Sequence, residues 1–407
     1  MPERLSSDLD MAVHPGDIRA LPLVFSALRK EGYTPVQVFN YLVGAYYFVF
    51  TWFEGCVVNS VAVDIIVKQR RGGLTAPSVA SIISGRRRHG IFWTPGPESE
   101  FVYLLAKKTW KRTAPPKQAS RLKALIEQLG RPAAERLASQ VFLGTKNVRV
   151  IEACANGSVH TMLASTYAQT WKTSVVRNPF RAAAYVLSEG MRCFRRWRQP
   201  TGLFVVIMGP DGAGKSTLIQ QLVQVLDRTF RRVRVFHWRP SLLWRRSGTG
   251  DITQPHSRPR HSAWFSVARL CAHVLDYWVG YCIVILPLLA RSGLVVFDRY
   301  FDDVLIDPQR YRYGGPFWVA GFLRRLVPRP DLVLILDAPE EVVLSRKQEV
   351  APDELRRQRK MYLGHGNGTT ETRVINAAGS VSHVTSEAAR AIIEFLAKRF
   401  ENRCANW

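Results

Sequence analysis

The chain has 407 residues, enough for two or three domains with buried cores. Hydrophobic residues make up 47% and charged residues 22% of it, which excludes a disordered or fibrous protein. The 57 Lys and Arg residues against 32 acidic ones leave a net charge of +25, which indicates an anionic partner or a coding bias towards Arg. Because these basic residues are dispersed, no run forms a nucleic-acid arm, and nucleic acid is not an expected partner.

The cysteines and the apolar segments indicate the compartment. Six cysteines are scattered without a C-x-x-C pair, which favours a reducing compartment and argues against zinc. The first residues contain no apolar signal segment. The longest apolar stretch, 277–290, is shorter than the ~20 residues of a membrane span and is expected to be a buried helix. We therefore expect a cytoplasmic protein without a transmembrane segment.

The first domain is predicted to span residues 1–145 and to belong to the α+β class. A helix is expected at 17–31. Strands are expected at 36–39, 44–53 and 57–67, the last two joined by a hairpin turn at Glu54-Gly55. Further helices are expected at 76–88, 98–111, 120–129 and 132–143, the second capped by Ser99 or by the turn at 95–97.

Three carboxylates of this domain have positions that suggest a metal site. Asp8 and Asp10 lie two residues apart, so on a strand they share a face, and Asp64 lies inside an apolar run. A lone acid in such a strand needs a partner, a metal or access to water. The segment Ser6-Ser-Asp-Leu-Asp10, with an acid on a later strand, resembles the nucleotidyltransferase superfamily related to DNA polymerase beta. The resemblance implies that Asp8, Asp10 and Asp64 hold divalent metal ions. The alternative is that the Ser/Asp segment is an ordinary turn and that Asp64 has a structural role in its strand.

Residues 146–200 are predicted to form a helical connector. Within them, 180–198 has the pattern of a basic amphipathic helix with aromatic residues. This helix serves either as a link between domains or as an anchor at a membrane surface. The segment Gln199-Pro-Thr-Gly202 then marks the boundary to the second domain, residues 201–407.

The second domain opens with the strongest motif in the chain, Gly209-Pro-Asp-Gly-Ala-Gly-Lys-Ser-Thr217. It follows an apolar strand at 203–208 and precedes a helical stretch at 218–226, which is the context of a phosphate-binding P-loop. The N–H groups of such a loop and the N-terminus of its helix surround a polyphosphate. Within it, Lys215 is expected to reach the β- and γ-phosphates of ATP, and Ser216 to ligate Mg²⁺. The residues predicted to bind the nucleotide are Gly209, Asp211, Gly212, Ala213, Gly214, Lys215, Ser216 and Thr217.

After the P-loop, strands and helices alternate as in a parallel α/β sheet. The further elements expected are strands at 232–238, 294–298, 331–337 and 373–376, and helices at 264–289 and 386–400. Ligands of such sheets bind at the carboxyl ends of the strands. This rule places Asp211, Arg239, Asp298 and Asp337 around one crevice.

The strand at 294–298 ends in Asp298-Arg299-Tyr300, the second motif of this domain. An acid there can hold Mg²⁺ or its waters, and the adjacent Arg can neutralise phosphate charge. Together with the P-loop, the motif resembles the thymidylate kinase family of nucleoside monophosphate kinases, over residues 203–400. The resemblance implies a P-loop kinase with a parallel sheet of strand order 2-3-1-4-5. It also implies transfer of the γ-phosphoryl group of Mg·ATP to a dTMP-like acceptor in nucleotide biosynthesis.

The same resemblance assigns roles to individual residues. Asp211, Arg239, Arg299 and Tyr300 are expected to bind the acceptor, and Ser216 and Asp298 the metal. Two basic segments, 344–349 and 356–360, match a lid whose arginines enter the site. The residues expected to carry the chemistry are Lys215, Asp298, Arg299, Arg346 and Arg356.

The acceptor side leaves other functions open, because 301–315 differs from the segment with which the family recognises thymine. Asp302, Asp303 and Asp307 would repel a second phosphate but are able to bond to sugar hydroxyls. A kinase of a sugar or surface-polysaccharide intermediate is therefore one alternative. A non-catalytic ATP-dependent assembly factor at a membrane is another, favoured by the basic helix at 180–198. The expected partner is a small phosphate-bearing substrate, with a homodimer left open.

Overall fold

The computed structural model describes residues 9–67, 70–71, 74–75, 78–142, 147–155, 159–243, 259–346, 351–364 and 370–404. The chain divides into two compact units. The first consists of residues up to Ala27, Val38–Phe48 and Ala62–Phe194. The second consists of Leu28–Gln37, Val49–Val61 and the residues from Arg195 onwards.

A four-stranded sheet lies in the N-terminal part of the chain. Its strands are β1 (Leu9–Ala12), β2 (Thr34–Leu42), β3 (Ala45–Glu54) and β4 (Val57–Ile66), in the order β1-β4-β3-β2. The aromatic and β-branched content of β2 to β4 favours strands, and these predicted strands are confirmed. Strand β1 runs parallel to β4 in a register that sets Asp10 beside Asp64.

Helices and two short hairpins complete the N-terminal half. The helices are α1 (Leu21–Lys30), α2 (Val79–Ser84), α3 (Pro97–Lys111), α4 (Pro116–Leu129), α5 (Arg131–Val141), α6 (Asn147–Ala155), α7 (Val159–Arg177) and α8 (Pro179–Arg198). The hairpins pair β5 (Arg70–Arg71) with β6 (Leu74–Thr75), and β7 (Arg87–His89) with β8 (Phe92–Thr94). Helices α3 to α7 enclose a core that includes Phe101, Leu105, Leu122, Ile151 and Leu163.

Two details of this half differ from the sequence-based expectations. The helix expected at 76–88 is shorter, because Gly85 caps α2 and Arg87–His89 turns into a hairpin strand; residues 76 and 77 lie outside the described part of the chain. The α-helix expected at 17–31 is also shorter, because α1 begins at Leu21, after a 3₁₀ helix at Pro15–Ala20. Helix α3 begins after Gly96, within the turn at 95–97 that was one of its two expected caps, and Pro97 lies in its first turn, where its missing N–H has no helical partner to lose. The basic helix expected at 180–198 is present as α8.

The second half contains a five-stranded sheet in which every neighbouring pair of strands is parallel. Its strands are β9 (Leu203–Met208), β10 (Val233–His237), β11 (Leu294–Asp298), β12 (Leu332–Asp337) and β13 (Glu371–Asn376). Counted from β9, their order in the sheet is 2-3-1-4-5, as expected. Every residue of β9 is buried, as in a parallel sheet covered on both faces.

Helices lie on both faces of this sheet. They are α9 (Lys215–Val225), α10 (Ala263–Gly280), α11 (Leu286–Leu289), α12 (Asp303–Ile306), α13 (Phe317–Leu326), α14 (Glu340–Arg346), α15 (Pro352–Gly364) and α16 (Val381–Cys404). A π-helical turn, Tyr281–Ile285, joins α10 to α11 without a break. The fold is therefore an α/β domain of the doubly wound type.

The continuous helix Ala263–Leu289 is long and apolar enough to cross a membrane, judged by length and composition alone, and is the one such helix in the described ranges. Its inner face packs into the core through Leu270, Tyr277 and Ile285. Trp264 and Leu275 on its outer face are exposed. The sequence predicted a buried helix here, but the structure buries one face only, because the sheet covers one side of the helix.

Candidate functional site

The P-loop joins β9 to α9 and requires glycine at two places. Gly209 has φ +145°, and a Cβ atom there would lie 2.6 Å from the carbonyl oxygen of Leu336 on the neighbouring strand β12. Gly214 has φ +91° and caps the N-terminus of α9. Both conformations are rare for other residues, so glycine fixes the loop against the sheet and turns its N–H groups towards the helix terminus.

Gly209→Ala is therefore expected to lower the free energy of unfolding by about 1–3 kcal/mol. The added methyl group meets backbone, which cannot move aside as a flexible side chain would. Gly321→Ala is the matched control, because Gly321 lies inside α13 with no atom within 4 Å of its added Cβ. Urea denaturation of the two variants measures the difference, and an equal effect at both positions would contradict this description of the loop.

Lys215, the first residue of α9, lies buried inside the loop. Its ammonium group donates hydrogen bonds to the carbonyl oxygens of Gly209 at 2.8 Å and Pro210 at 2.7 Å. Burial, followed by the nearby charge of Arg299, lowers the pKa of Lys215 to about 8. The ammonium group is thus held within the loop by two carbonyl groups, with the Asp211 carboxylate 3.7 Å away, and an anionic ligand can attract it from there.

Asp298 ends β11, next to the P-loop strand. One carboxylate oxygen lies 3.2 Å from Nδ1 of His237, and the other, Oδ1, is buried with no hydrogen-bond partner among the described residues. Burial raises the pKa of Asp298, but the His237 hydrogen bond and the charge of Lys215 outweigh it and hold the pKa below its usual value. An ionised carboxylate with an unused oxygen fits a divalent cation or its waters, and the Ser216 hydroxyl at the start of α9 is the second oxygen ligand expected there.

Arg299 connects the P-loop to the segment that follows β11. It has φ +70°, a left-handed conformation that is uncommon outside glycine. Its guanidinium group forms ion pairs with Asp211 of the P-loop and with Asp303 of α12, and it is 3% exposed. Burial lowers the pKa of Arg299, but the charges led by Asp303 outweigh burial and raise the pKa well above its ordinary value. Such strain at a buried charged residue is typical of functional sites.

The sequence did not identify the residues that complete this ion-pair network. The Tyr362 hydroxyl, from α15, donates to Asp303 at 3.1 Å and accepts from Arg299 at 3.3 Å. Arg310 forms a second ion pair with Asp211. The spacing of Arg299 and Asp303, four residues apart, is a signal from which their pairing could have been predicted; Tyr362 lies too far along the chain for any local signal.

The three acids expected to form a sugar-binding pocket are engaged elsewhere. Asp303 is fully buried between Arg299 and Tyr362, as described above. Asp302 pairs with Arg324, and Asp307 accepts the backbone N–H of Arg310 at 3.1 Å. All three are buried, so they stabilise the fold of this segment instead of offering oxygens to a sugar.

Arg239 and Tyr300, both predicted to bind the acceptor, differ in their surroundings. Arg239 follows β10 and forms a 2.8 Å ion pair with the fully buried Asp276, which also accepts backbone N–H groups of the next turn. Tyr300 points into the core, where its hydroxyl donates to the carbonyl oxygen of Pro328. Arg239 is thus held in a fixed orientation, whereas the structure assigns Tyr300 to packing.

In the described residues, the two predicted lid arginines, Arg346 and Arg356, have separate partners. A third arginine instead contacts the carboxyl end of a strand. Arg346 donates to the carbonyl oxygen of Ala377 at 3.0 Å, and Arg356 is an exposed residue paired with Glu340. Arg359 of α15, however, forms two hydrogen bonds, of 2.6 and 2.9 Å, with Asp337 at the carboxyl end of β12. Helix α15 therefore presents Arg359 and Tyr362, and not Arg356, towards the strand ends. Residues 347–350 of the predicted lid lie outside the described residues.

A separate cluster lies in the first unit, around the predicted metal site. The Lys107 ammonium group donates to Asp10 at 2.8 Å and to the Tyr103 hydroxyl at 2.9 Å. The Tyr41 hydroxyl lies 2.7 Å from each carboxylate oxygen of Asp64. Burial is the main cause that raises the pKa of Asp64 to about 6. Asp8 lies outside the described residues, and among the residues described no group of three or more His, Cys, Asp or Glu is arranged to hold a metal ion.

Comparison with known proteins identifies relatives of the second half of the chain. The family model described as thymidylate kinase matches residues 207–387. A thymidylate kinase of Xanthomonas oryzae pv. oryzae is 31% identical over 209 residues, which cover 49% of this chain and 87% of that protein. A thymidylate kinase of Xanthomonas campestris pv. campestris is 30% identical over 208 residues, with the same coverage.

Among solved structures, a Candida albicans thymidylate kinase aligns with 48% of this chain and 93% of its own, with a TM-score of 0.36 and 16% identity. This structural similarity does not assign the family. The family assignment rests on the sequence identity to the Xanthomonas proteins over most of their length. Through its second half, the chain belongs to the thymidylate kinase family of P-loop phosphotransferases.

Proposed function

We propose that the second domain transfers the γ-phosphoryl group of Mg·ATP to the phosphate of a nucleoside monophosphate, with dTMP as the acceptor. An oxygen of the acceptor phosphate attacks the γ-phosphorus, and the bond from that phosphorus to the β,γ-bridging oxygen breaks, which yields ADP and dTDP. The observation that carries the proposal is the link between the P-loop and the segment that follows β11. Asp211 of the P-loop pairs with both Arg299 and Arg310 of that segment.

Each of the residues at the strand ends has a part in this reaction. Lys215, now bonded to the loop carbonyl groups, would turn to the β- and γ-phosphates and stabilise the charge that develops on the leaving ADP. Ser216 and Asp298 would hold Mg²⁺, which when bound would neutralise the negative charge of the phosphates. Arg299 would orient the acceptor phosphate, since it is fixed between two carboxylates.

Helix α15 would complete the site. It supplies Tyr362 to the Arg299–Asp303 pair and Arg359 to Asp337 at the strand ends. An arginine that such a segment brings into the site stabilises the negative charge of the phosphoryl group during its transfer. Closure of the segment excludes water. We propose Arg359 for the role that the resemblance implied for Arg356.

A panel of acceptors with radiolabelled ATP tests the proposed acceptor. The panel contains dTMP, the other nucleoside monophosphates and a set of hexoses and hexose phosphates. We expect dTMP to have the highest kcat/KM among the nucleotides, because the relatives of this half are thymidylate kinases. The sugars should react more slowly, because the acids that favoured a sugar acceptor are engaged within the fold. A sugar phosphorylated faster than every nucleotide would overturn this choice of acceptor while leaving the ATP site intact.

The pKa of Lys215 predicts how kcat/KM for ATP depends on pH. In the free enzyme this pKa is lowered to about 8, so above pH 8 the lysine loses the positive charge that binds phosphate. We expect kcat/KM for ATP to fall about tenfold per pH unit above pH 8, since this ratio reports ionisations of the free enzyme. In Lys215→Arg the guanidinium group stays protonated, so this alkaline fall should disappear even if activity is lower. The same fall in both proteins would assign it to another group.

A further inference from the structure

The carboxylate pair of the first unit is the part of the chain that the kinase function leaves unexplained. Asp10 and Asp64 face each other across the parallel strands β1 and β4. The Lys107 ammonium group lies 2.8 Å from Asp10, and its side chain is 13% exposed. The ammonium group therefore already compensates the charge of Asp10, one of the two carboxylates, before any ion is added.

A divalent cation at this place would need oxygen ligands that are already engaged. Magnesium takes about six oxygens at roughly 2.0–2.1 Å, of which one or two belong to carboxylates and the others to water or substrate, so the oxygens of Asp10 and Asp64 are the ones it would need here. Both oxygens of Asp64 lie at hydrogen-bond distance from the Tyr41 hydroxyl, and one oxygen of Asp10 accepts from Lys107. The ammonium group would also repel a second cation at such short range.

Lys107 is supplied by a rigid element. It lies on α3, whose neighbouring residues Leu105 and Ala106 are buried in the helical core. Tyr103, one turn earlier on the same face, accepts a 2.9 Å hydrogen bond from the same ammonium group. The packing of α3 therefore fixes the position of Lys107 beside the carboxylates. A long side chain on a mobile surface segment would not be held there in this way.

We propose that Lys107 is the built-in cation of the Asp10–Asp64 pair and that it replaces the divalent metal ion implied by the resemblance to nucleotidyltransferases. The first domain then holds no metal at this pair and does not catalyse metal-dependent nucleotidyl transfer. Asp10, Asp64 and Lys107 then have a structural role in the first domain, where the ion pair ties α3 to β1.

Binding of Mn²⁺ to the full-length protein without nucleotide tests the proposal, with free Mn²⁺ measured by electron paramagnetic resonance. Each protein is compared with its own Asp64→Asn variant, so that ions bound elsewhere cancel. We expect no difference between the wild type and Asp64→Asn. In Lys107→Met, we expect the protein to gain one bound Mn²⁺ that its Asp64→Asn variant loses. Lys107→Arg keeps the positive charge and should bind no ion at the pair.

Two results would overturn the proposal. One is a Mn²⁺ ion in the wild type that is lost in Asp64→Asn, because the native lysine would then not exclude the metal. The other is a folded Lys107→Met protein that still binds no ion at the pair, because Lys107 would then not be what replaces it. The first comparison uses the native lysine and stays decisive even if Lys107→Met does not fold.

Discussion

Lys215→Ala is expected to lower kcat for phosphoryl transfer by about 10³-fold, the effect of removing a donor aimed at developing charge. The variant should also bind ATP more weakly, because the loop loses the one ammonium group held at its concave side in the structure described. A coupled assay for ADP formation measures kcat, and ATP titration measures affinity. The fold should survive, because the lysine's burial is unfavourable to its charge.

Lys398→Ala is the control for this change. Lys398 is 69% exposed in the same domain and forms only a surface ion pair with Glu371. Its replacement should leave kcat and ATP affinity unchanged. A Lys215→Ala protein as active as this control would remove the P-loop from the mechanism.

Arg299→Met is expected to lower the free energy of unfolding by about 3–5 kcal/mol, because it leaves buried carboxylates without their charge partner. Asp303 is fully buried and would keep only its tyrosine neighbours, and Asp211 would lose one of its two arginines. Urea denaturation measures the loss. Arg373→Met, which removes an exposed ion pair with Glu371, should give no measurable change.

A double variant separates the structural role of Arg299 from its role in the reaction. Arg299→Met with Asp303→Leu removes both buried charges, and such replacements are often neutral in stability. We therefore expect the double variant to recover most of the lost stability but to stay inactive. Recovery of activity together with stability would mean that Arg299 acts through folding alone and does not touch the acceptor.

The sequence predicted the parts of the site that local patterns encode. The P-loop combines a strand, a glycine turn and a helix within one short segment, and Asp298 is recognised as the acid that ends a buried run. The strand order of the second sheet followed from the resemblance to a family, because strands of similar composition do not reveal their neighbours.

The parts that sequence missed depend on contacts between distant segments. Arg356 and Arg359 lie in the same basic stretch, and only the packing of α15 decides that Arg359 meets Asp337 while Arg356 stays exposed. Lys107 was overlooked for the same reason, since nothing near it in the sequence indicates that it approaches Asp10. Charge composition identifies candidates, and helix packing selects among them.

The central claim is that the second domain moves the γ-phosphoryl group of ATP to a nucleoside monophosphate. Phosphorus nuclear magnetic resonance of a reaction with ATP, Mg²⁺ and dTMP tests it most directly, because every phosphate is followed at once. We expect ADP and dTDP resonances to grow in equal amounts, without inorganic phosphate, and both to grow about 10³-fold more slowly in Lys215→Ala. Release of inorganic phosphate with dTMP unchanged, or no consumption of ATP with any nucleoside monophosphate, would contradict it.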